Sequence, residues 1–269
     1  MNIIHAKQAL IGKNWASDIQ VIISTGGRIE SISNQTHVPT NKVAILLPAP
    51  LNLHSHTFQR AMAGLTEARG PNLNDSFWSW RRLMYRFLDQ LTPKHVEAIA
   101  SLAFMEMIEA GYGAVAEFHY LHHGVGGMAY GNLSEMSERI VAAATNAGIG
   151  LTLLPVLYQY GGCDLRPLEG GQQRFGNDPD KFLRLHEGAS KSIKMSTADF
   201  EIGIAPHSLR AVDHRGLKLV VDAATTGPIH MHLAEQDAEV AEVQAHWNAR
   251  PTEWLLTNHD INERWCLIH

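Results

Sequence analysis

Val43-Ala44-Ile45-Leu46-Leu47-Pro48-Ala49-Pro50-Leu51-Asn52-Leu53-His54-Ser55-His56 is an apolar run that ends in two histidines two residues apart. On a β-strand, residues i and i+2 face the same side, so both imidazoles can converge beyond the strand's carboxyl end. A neutral imidazole offers a metal its lone pair near neutral pH. A second pair, His230-Met231-His232, also ends a short apolar run and is followed by Glu235. Core packing alone does not account for two such pairs at two strand ends.

Outward from this stretch, strand-like runs alternate with helical patterns. The strand-like runs are 43–53, Gly113–Phe118, Gly150–Leu157, Phe200–Ala205, Pro228–Leu233 and Trp265–Ile268. Helical spacing of apolar residues covers Pro93–Ala110, Ser134–Ala147, Asp180–Ser190, Asp213–Thr225 and Gln236–Trp247. Such alternation argues for a parallel sheet, and buried parallel strands should be near-continuously apolar, as most of these are. In a β/α barrel the functional residues sit at the carboxyl ends of strands. The polar residues here follow that rule: His54 and His56, then Glu117, His119 and Tyr120, then Tyr158 and Tyr160, then His207 and Arg210, then His230, His232 and Glu235, then His269. No Gly-x-Gly-x-x-Gly turn follows any strand, which disfavours an open doubly wound sheet. The expected fold class is α/β: a (β/α)8 TIM-type barrel over 46–269 with about six of its β/α units present. Ahead of it, over 1–45, Ile3-Ile4, Val21–Ile23 and Ile29–Ile32 read as strands of a small β module, an incomplete β-sandwich. The apolar run Trp265–Ile268 stops at His269 without a turn or polar tail. Since a barrel closes with eight strands, a chain cut short after the sixth is expected.

Composition narrows the function. Of the 269 residues, 45% are hydrophobic and 18% charged, enough for a sizeable core. The net charge is -5 and no lysine/arginine run appears, so the expected partner is a small molecule, with no nucleic acid and no membrane. Cys163 and Cys266 alone make no disulfide framework, and neither a secretory leader nor a membrane-spanning run is visible, so a cytoplasmic protein is expected. Met84, Met105 and Met107 have helical-face spacing and read as core. His230 lies deeper in its strand than His232 and also reads as core, whereas His122 and His123 read as loop residues.

Several stretches together resemble the amidohydrolase superfamily, within it the deaminase branch, and most closely the formimidoylglutamate deiminases. They are Asn52-Leu53-His54-Ser55-His56-Thr57-Phe58-Gln59-Arg60 and onward to Glu67, Phe77-Trp78-Ser79-Trp80-Arg81, Phe118-His119-Tyr120-Leu121-His122-His123, Ala205-Pro206-His207-Ser208-Leu209-Arg210, His232-Leu233-Ala234-Glu235 and the strand-end His269. The resemblance implies one divalent metal, Zn²⁺ with Fe²⁺ or Mn²⁺ as alternatives, held by His54, His56 and His232 and by an Asp on a later strand that this sequence does not include. It implies a metal that activates water to attack a C=N carbon, with Glu235 as general acid/base, His269 orienting the water, and Gln59 at the imino group. The implied substrate is the dicarboxylate N-formimino-L-glutamate, for which Arg81, Tyr120, His207 and Arg210 are the candidate contacts. A homodimer is a further implication. Guanine or an adenosine derivative as substrate, or a catalytically inactive fragment, stay open as alternatives. So do structural readings of single residues: Glu235 as a helix N-terminal carboxylate, Arg81 as a cation on an aromatic stretch, Arg210 as a solvated helix-start residue.

Overall fold

The computed structural model describes residues 2–34, 37–65, 77–196 and 198–269, without the side chains of 77–79, 81 and 82. The chain divides into two compact units, Met1–Pro50 and Leu51–His269. In the first, β1 (Asn2–Ile11) pairs antiparallel with β2 (Asn14–Ile23), and β2 pairs with β3 (Ile29–Ser33). The β1–β2 hairpin turns at Gly12, whose φ of +61° is a conformation glycine adopts without a Cβ penalty. β4 (Asn41–Leu46) joins β1 in parallel, giving the order β3-β2-β1-β4. Ala6, Ala9, Ile19 and Val21 form the buried face of this sheet.

Val43–Leu53 is therefore not one strand. Its first part is β4 of the small sheet, and β5 (Leu51–Ser55) starts the second unit. Pro48 and Pro50 fall in the gap, where neither can donate a ladder hydrogen bond.

The second unit holds parallel strands in succession. β5, β6 (Ala114–His119), β7 (Gly150–Leu157) and β8 (Phe200–Ile202) lie side by side, and β9 (Ala205–Pro206) also pairs with β7. A parallel bridge between Ile204 and Ile229 leads to β10 (Ile229–His232), which pairs with β11 (Trp265–Ile268). The expected strand Phe200–Ala205 is interrupted at Gly203, where a Cβ would stand 2.2 Å from the Pro228 carbonyl oxygen. Helices alternate with these strands in the manner of a TIM-type barrel: α1 (Phe77–Leu88), α2 (Pro93–Glu109), α3 (Glu135–Ala147), α4 (Pro179–Met195), α5 (His214–Ala223), α6 (Asp237–Trp247) and α7 (Pro251–Asn258). Their starts are encoded locally. Thr92, Asp178 and Asp213 accept backbone N–H groups of the first turns of α2, α4 and α5, and prolines follow the first two caps. Gly148, at φ +80°, ends α3. Among the described residues no helix is long and apolar enough to cross a membrane.

Two differences concern helices. α7 follows a left-handed Asn248 that stops α6, and it is too short to show a periodic pattern. Met84 is buried, but Met105 is 45% exposed. At about 100° per residue Met105 falls opposite the face of α2 that buries Val96, Ala100, Ala103 and Phe104.

Arg174, fully buried, ties three segments together. Its Nε donates to the His123 carbonyl and Nη2 to that of Leu91, both at 2.8 Å, while Nη1 donates to that of Leu88. Its own carbonyl accepts the N–H groups of His122 and His123. The end of α1, the loop after β6 and the turn at Gly170–Arg174 are thus held in one place. Replacing Arg174 by Met leaves three carbonyls short of a donor, each worth about 1–3 kcal/mol when buried, so a loss of at least about 3 kcal/mol is expected. Urea unfolding checks this, and a loss below about 1 kcal/mol would contradict the strut.

Candidate metal centre

His54 and His56, at the end of β5, meet His232 of β10. His54 Nε2 lies 3.0 Å from His56 Nε2 and 3.1 Å from His232 Nε2. These three are a group of ligand atoms able to hold one metal ion. Nitrogens bound tetrahedrally at about 2.0–2.1 Å from zinc stand roughly 3.3 Å apart, close to what is found here. The His56 tautomer agrees. The Phe118 carbonyl oxygen sits 2.9 Å from His56 Nδ1, so that nitrogen donates and Nε2 keeps its lone pair. Among the described residues the buried Nδ1 atoms of His54 and His232 have no hydrogen-bond partner. The Phe118 ring packs against all three imidazoles, with centroids 5.3, 5.2 and 4.3 Å away. Burial, reinforced by neighbouring histidines, lowers the pKa of His54 to about 4 and of His56 to about 3, and holds His232 well below its ordinary value. Three neutral imidazoles gathered at one point fit a divalent cation.

A cavity of about 230 Å³ opens beside them. His54, His56, His232, Gln59, Tyr120, His207, Arg210, Glu235 and His269 all line it. Gln59 Nε2 donates to the buried Tyr120 hydroxyl at 2.6 Å. His207 packs on His232 and Tyr158, with centroids 4.9 and 4.5 Å apart. His269 stacks on His232, 5.3 Å between centroids and 17° between planes. Arg210 is 7% exposed, and its Nη2 lies 3.7 Å from Glu235 Oε2. The Arg81 side chain lies outside the described residues, although α1 contributes Trp80, Met84 and Tyr85 to the cavity wall. His230 is buried; His122 and His123, also buried, bond to the carbonyls of Val156 and Gly176 instead of facing the ligand group.

The sequence reading assigned no role to several residues that matter here. Tyr158 and Phe175 complete the aromatic wall with Tyr85 and Trp80. Phe175 follows a short turn and carries no periodic signal. Buried Glu239 accepts the Glu235 N–H at 3.2 Å and approaches Arg210 Nε at 4.0 Å. Glu239 lies in the first turn of α6, four residues after Glu235, which precedes the helix. Glu117, near the carboxyl end of β6, accepts the Thr57 N–H and hydroxyl at 2.8 and 2.7 Å. Burial pushes it up to about 7 against the pull of hydrogen bonds from Thr57 and Ser55. Together the cavity has a cation-binding end, a carboxylate able to carry a proton, a guanidinium suited to an anionic group, and an aromatic wall.

Comparison with known proteins fits this geometry. A family model described as "Amidohydrolase family" matches residues 45–261, and one described as "Formimidoylglutamate deiminase HutF, N-terminal domain" matches residues 1–39. Formimidoylglutamate deiminase of Pseudomonas aeruginosa is 43% identical over 272 residues, which cover 100% of this chain and 59% of that protein. A 5-methylthioadenosine/S-adenosylhomocysteine deaminase of Shouchella clausii is 25% identical over 83% of this chain and 45% of its own length. The crystal structure of an amidohydrolase from Brucella melitensis superposes with a TM-score of 0.94 at 46% identity, over 100% of this chain and 60% of that one. An adenosine deaminase from Xanthomonas campestris with bound zinc shares the fold at a TM-score of 0.73 and 18% identity, over 99% of this chain and 57% of its own. The chain spans about three-fifths of the length of the first two whole-chain matches, 59% and 60%. With a family match over 45–261 and His54, His56 and His232 meeting at its strand ends, the chain belongs to the amidohydrolase family.

Proposed function

We propose that this site serves the hydrolysis of N-formimino-L-glutamate to N-formyl-L-glutamate and ammonia, with Zn²⁺ held by His54, His56 and His232. The observation that carries the reading is the buried Arg210 guanidinium facing the same cavity as the histidine group and Glu235. Glu235 and Glu239 approach this guanidinium only at 3.7 and 4.0 Å, looser than a bidentate pair, and a carboxylate-bearing substrate would supply the closer acceptor geometry. The 43% identity to the Pseudomonas aeruginosa deiminase supports the same substrate.

When bound, zinc would supply a Lewis acid that makes water a nucleophile near neutral pH. The protein's own groups do the rest. Glu235 passes the two protons of the attacking water in turn to the imino nitrogen, so that the water oxygen becomes the formyl oxygen and the C–N bond breaks to release ammonia. The Glu239 carboxylate holds the Glu235 backbone, where Ala234 has a φ of +59°. Gln59, fixed by Tyr120, faces the imino group. His269, stacked on His232, orients the water and steadies developing negative charge. Arg210 takes a substrate carboxylate, with His207 and Tyr120 beside it, and Arg81 is the candidate for the other. The aromatic wall of Tyr120, Tyr158 and Phe175 favours a second reading, a planar amino-heterocycle such as guanine. We also propose a homodimer.

The deciding assay is ammonia release by the zinc-supplemented chain. Release from N-formimino-L-glutamate and not from guanine is expected; release from guanine alone overturns the assignment, and release from neither moves this chain to the inactive-fragment reading. Glu235→Gln should keep zinc and lose at least about 10²-fold in kcat, because general acid/base catalysis contributes that much or more. Undiminished turnover would remove Glu235 from the proton path. Arg210→Met should raise KM about tenfold or more with the metal retained, since a hydrogen bond to a charged group is worth about 1.5–3 kcal/mol. An unchanged KM would take Arg210 out of the substrate site.

Stability of the metal-free chain should depend on pH in a set direction. His54, His56, His119 and His230 are depressed to about 4, 3, 3 and 4, and His122 and His232 well below 6.5, in each case chiefly by burial. Between those values and 6.5 the unfolded chain binds more protons, so stability falls as pH drops through that window. Glu117 and Glu239, raised by burial, act in the opposite sense but are fewer. A Tm that falls between pH 7 and pH 4 is expected, and a Tm that rises on acidification would contradict it.

A further inference from the structure

The ladder between β5 and β6 loses register between Asn52 and Ser55, the stretch that carries His54. Backbone pairing therefore does not by itself fix where the histidine pair points. Two adjacent residues of β6 take over. The Phe118 carbonyl accepts the His56 Nδ1–H at 2.9 Å, and Glu117 Oε1 accepts both the N–H and the hydroxyl of Thr57, at 2.8 and 2.7 Å. Glu117 stands opposite Ser55 in the register and is wholly buried. A carboxylate so placed costs free energy unless its acceptors are used, and here one oxygen is used twice by the residue that follows the ligand pair. Thr57 begins the short turn Thr57–Met62, so this clasp anchors both the end of the ligand strand and the start of the segment bearing Gln59.

We infer that Glu117 is a positioning residue that sets the geometry of the His54–His56 ligand pair through Thr57, without touching metal or substrate. The inference rests on the metal reading proposed above. A ligand pair whose strand end is free to shift presents its lone pairs to the cation at a poorer angle, and outer groups that orient ligands typically change metal affinity by about 10–100-fold. The effect is on binding, so it is visible without turnover.

The test measures zinc affinity by competition with a chromogenic chelator, and the visible absorption of the Co²⁺-loaded protein, for the unmodified chain, Glu117→Ala, Glu117→Gln and Thr57→Val. Glu117→Ala should bind zinc about 10–100-fold more weakly and alter the Co²⁺ spectrum. Glu117→Gln keeps an accepting oxygen at the same place and should return affinity to near that of the unmodified chain. Thr57→Val, which loses only the hydroxyl donor, should fall between them. Thermal unfolding in chelator separates a merely structural role, which would lower metal-free Tm while leaving affinity and spectrum unchanged. Unchanged affinity and spectrum in Glu117→Ala, or in Thr57→Val should Glu117→Ala fail to fold, overturn the inference and leave the metal site standing. A Glu117→Gln variant as weak as Glu117→Ala would also overturn it. An unmodified chain that takes up no zinc overturns the metal reading and this inference together.

Discussion

Three imidazole nitrogens gathered around His54 Nε2, in a place that keeps their rings neutral, are the constraint on which the site depends. His54 Nε2 lies 3.0 and 3.1 Å from its two counterparts. The proton on His56 is committed to the Phe118 carbonyl, so the facing nitrogen has a lone pair and nothing to donate. The surrounding structure is arranged to hold that arrangement. Two strands from opposite ends of the second unit supply the ligands, the Phe118 ring packs against all three, and His269 closes on His232.

The same economy governs the charged groups beside the ligands. Arg210, Glu235 and Glu239 are brought together in a largely dry corner, with separations of 3.7 and 4.0 Å that are looser than a bidentate pair. Such a group gains less from mutual attraction than it loses by desolvation unless further hydrogen bonds are made. Glu239 makes one to the Glu235 backbone; Arg210 is left with donors directed at the cavity. Stability is thereby given up at this corner, which suits the proposed roles of Arg210 and Glu235.

Much of this was legible in the sequence because strand alternation is a strict rule. His54 with His56, and His230 with His232, could be placed on strand ends from period two alone, and helical spacing located α2 to α6 to within a few residues. The remainder depended on partners far along the chain. Pro48 and Pro50 divide what reads as one apolar run, yet hydropathy does not distinguish β4 from β5. Phe175 reaches the cavity only because Arg174 is pinned by carbonyls some fifty to eighty-six residues away. Glu117 could be seen to end a strand, but its hold on Thr57, sixty residues distant, belongs to tertiary packing. Glu239 looks like any acid in a helix's first turn until Arg210 arrives from the preceding β/α unit.

The most direct test of the central claim is X-ray absorption at the zinc edge of the zinc-loaded chain. A first shell containing three imidazole nitrogens at about 2.0–2.1 Å, reduced by one in a His232→Ala variant, is the expected result. A first shell of oxygen or sulfur alone, or one that His232→Ala leaves unchanged, would contradict a metal centre built by His54, His56 and His232.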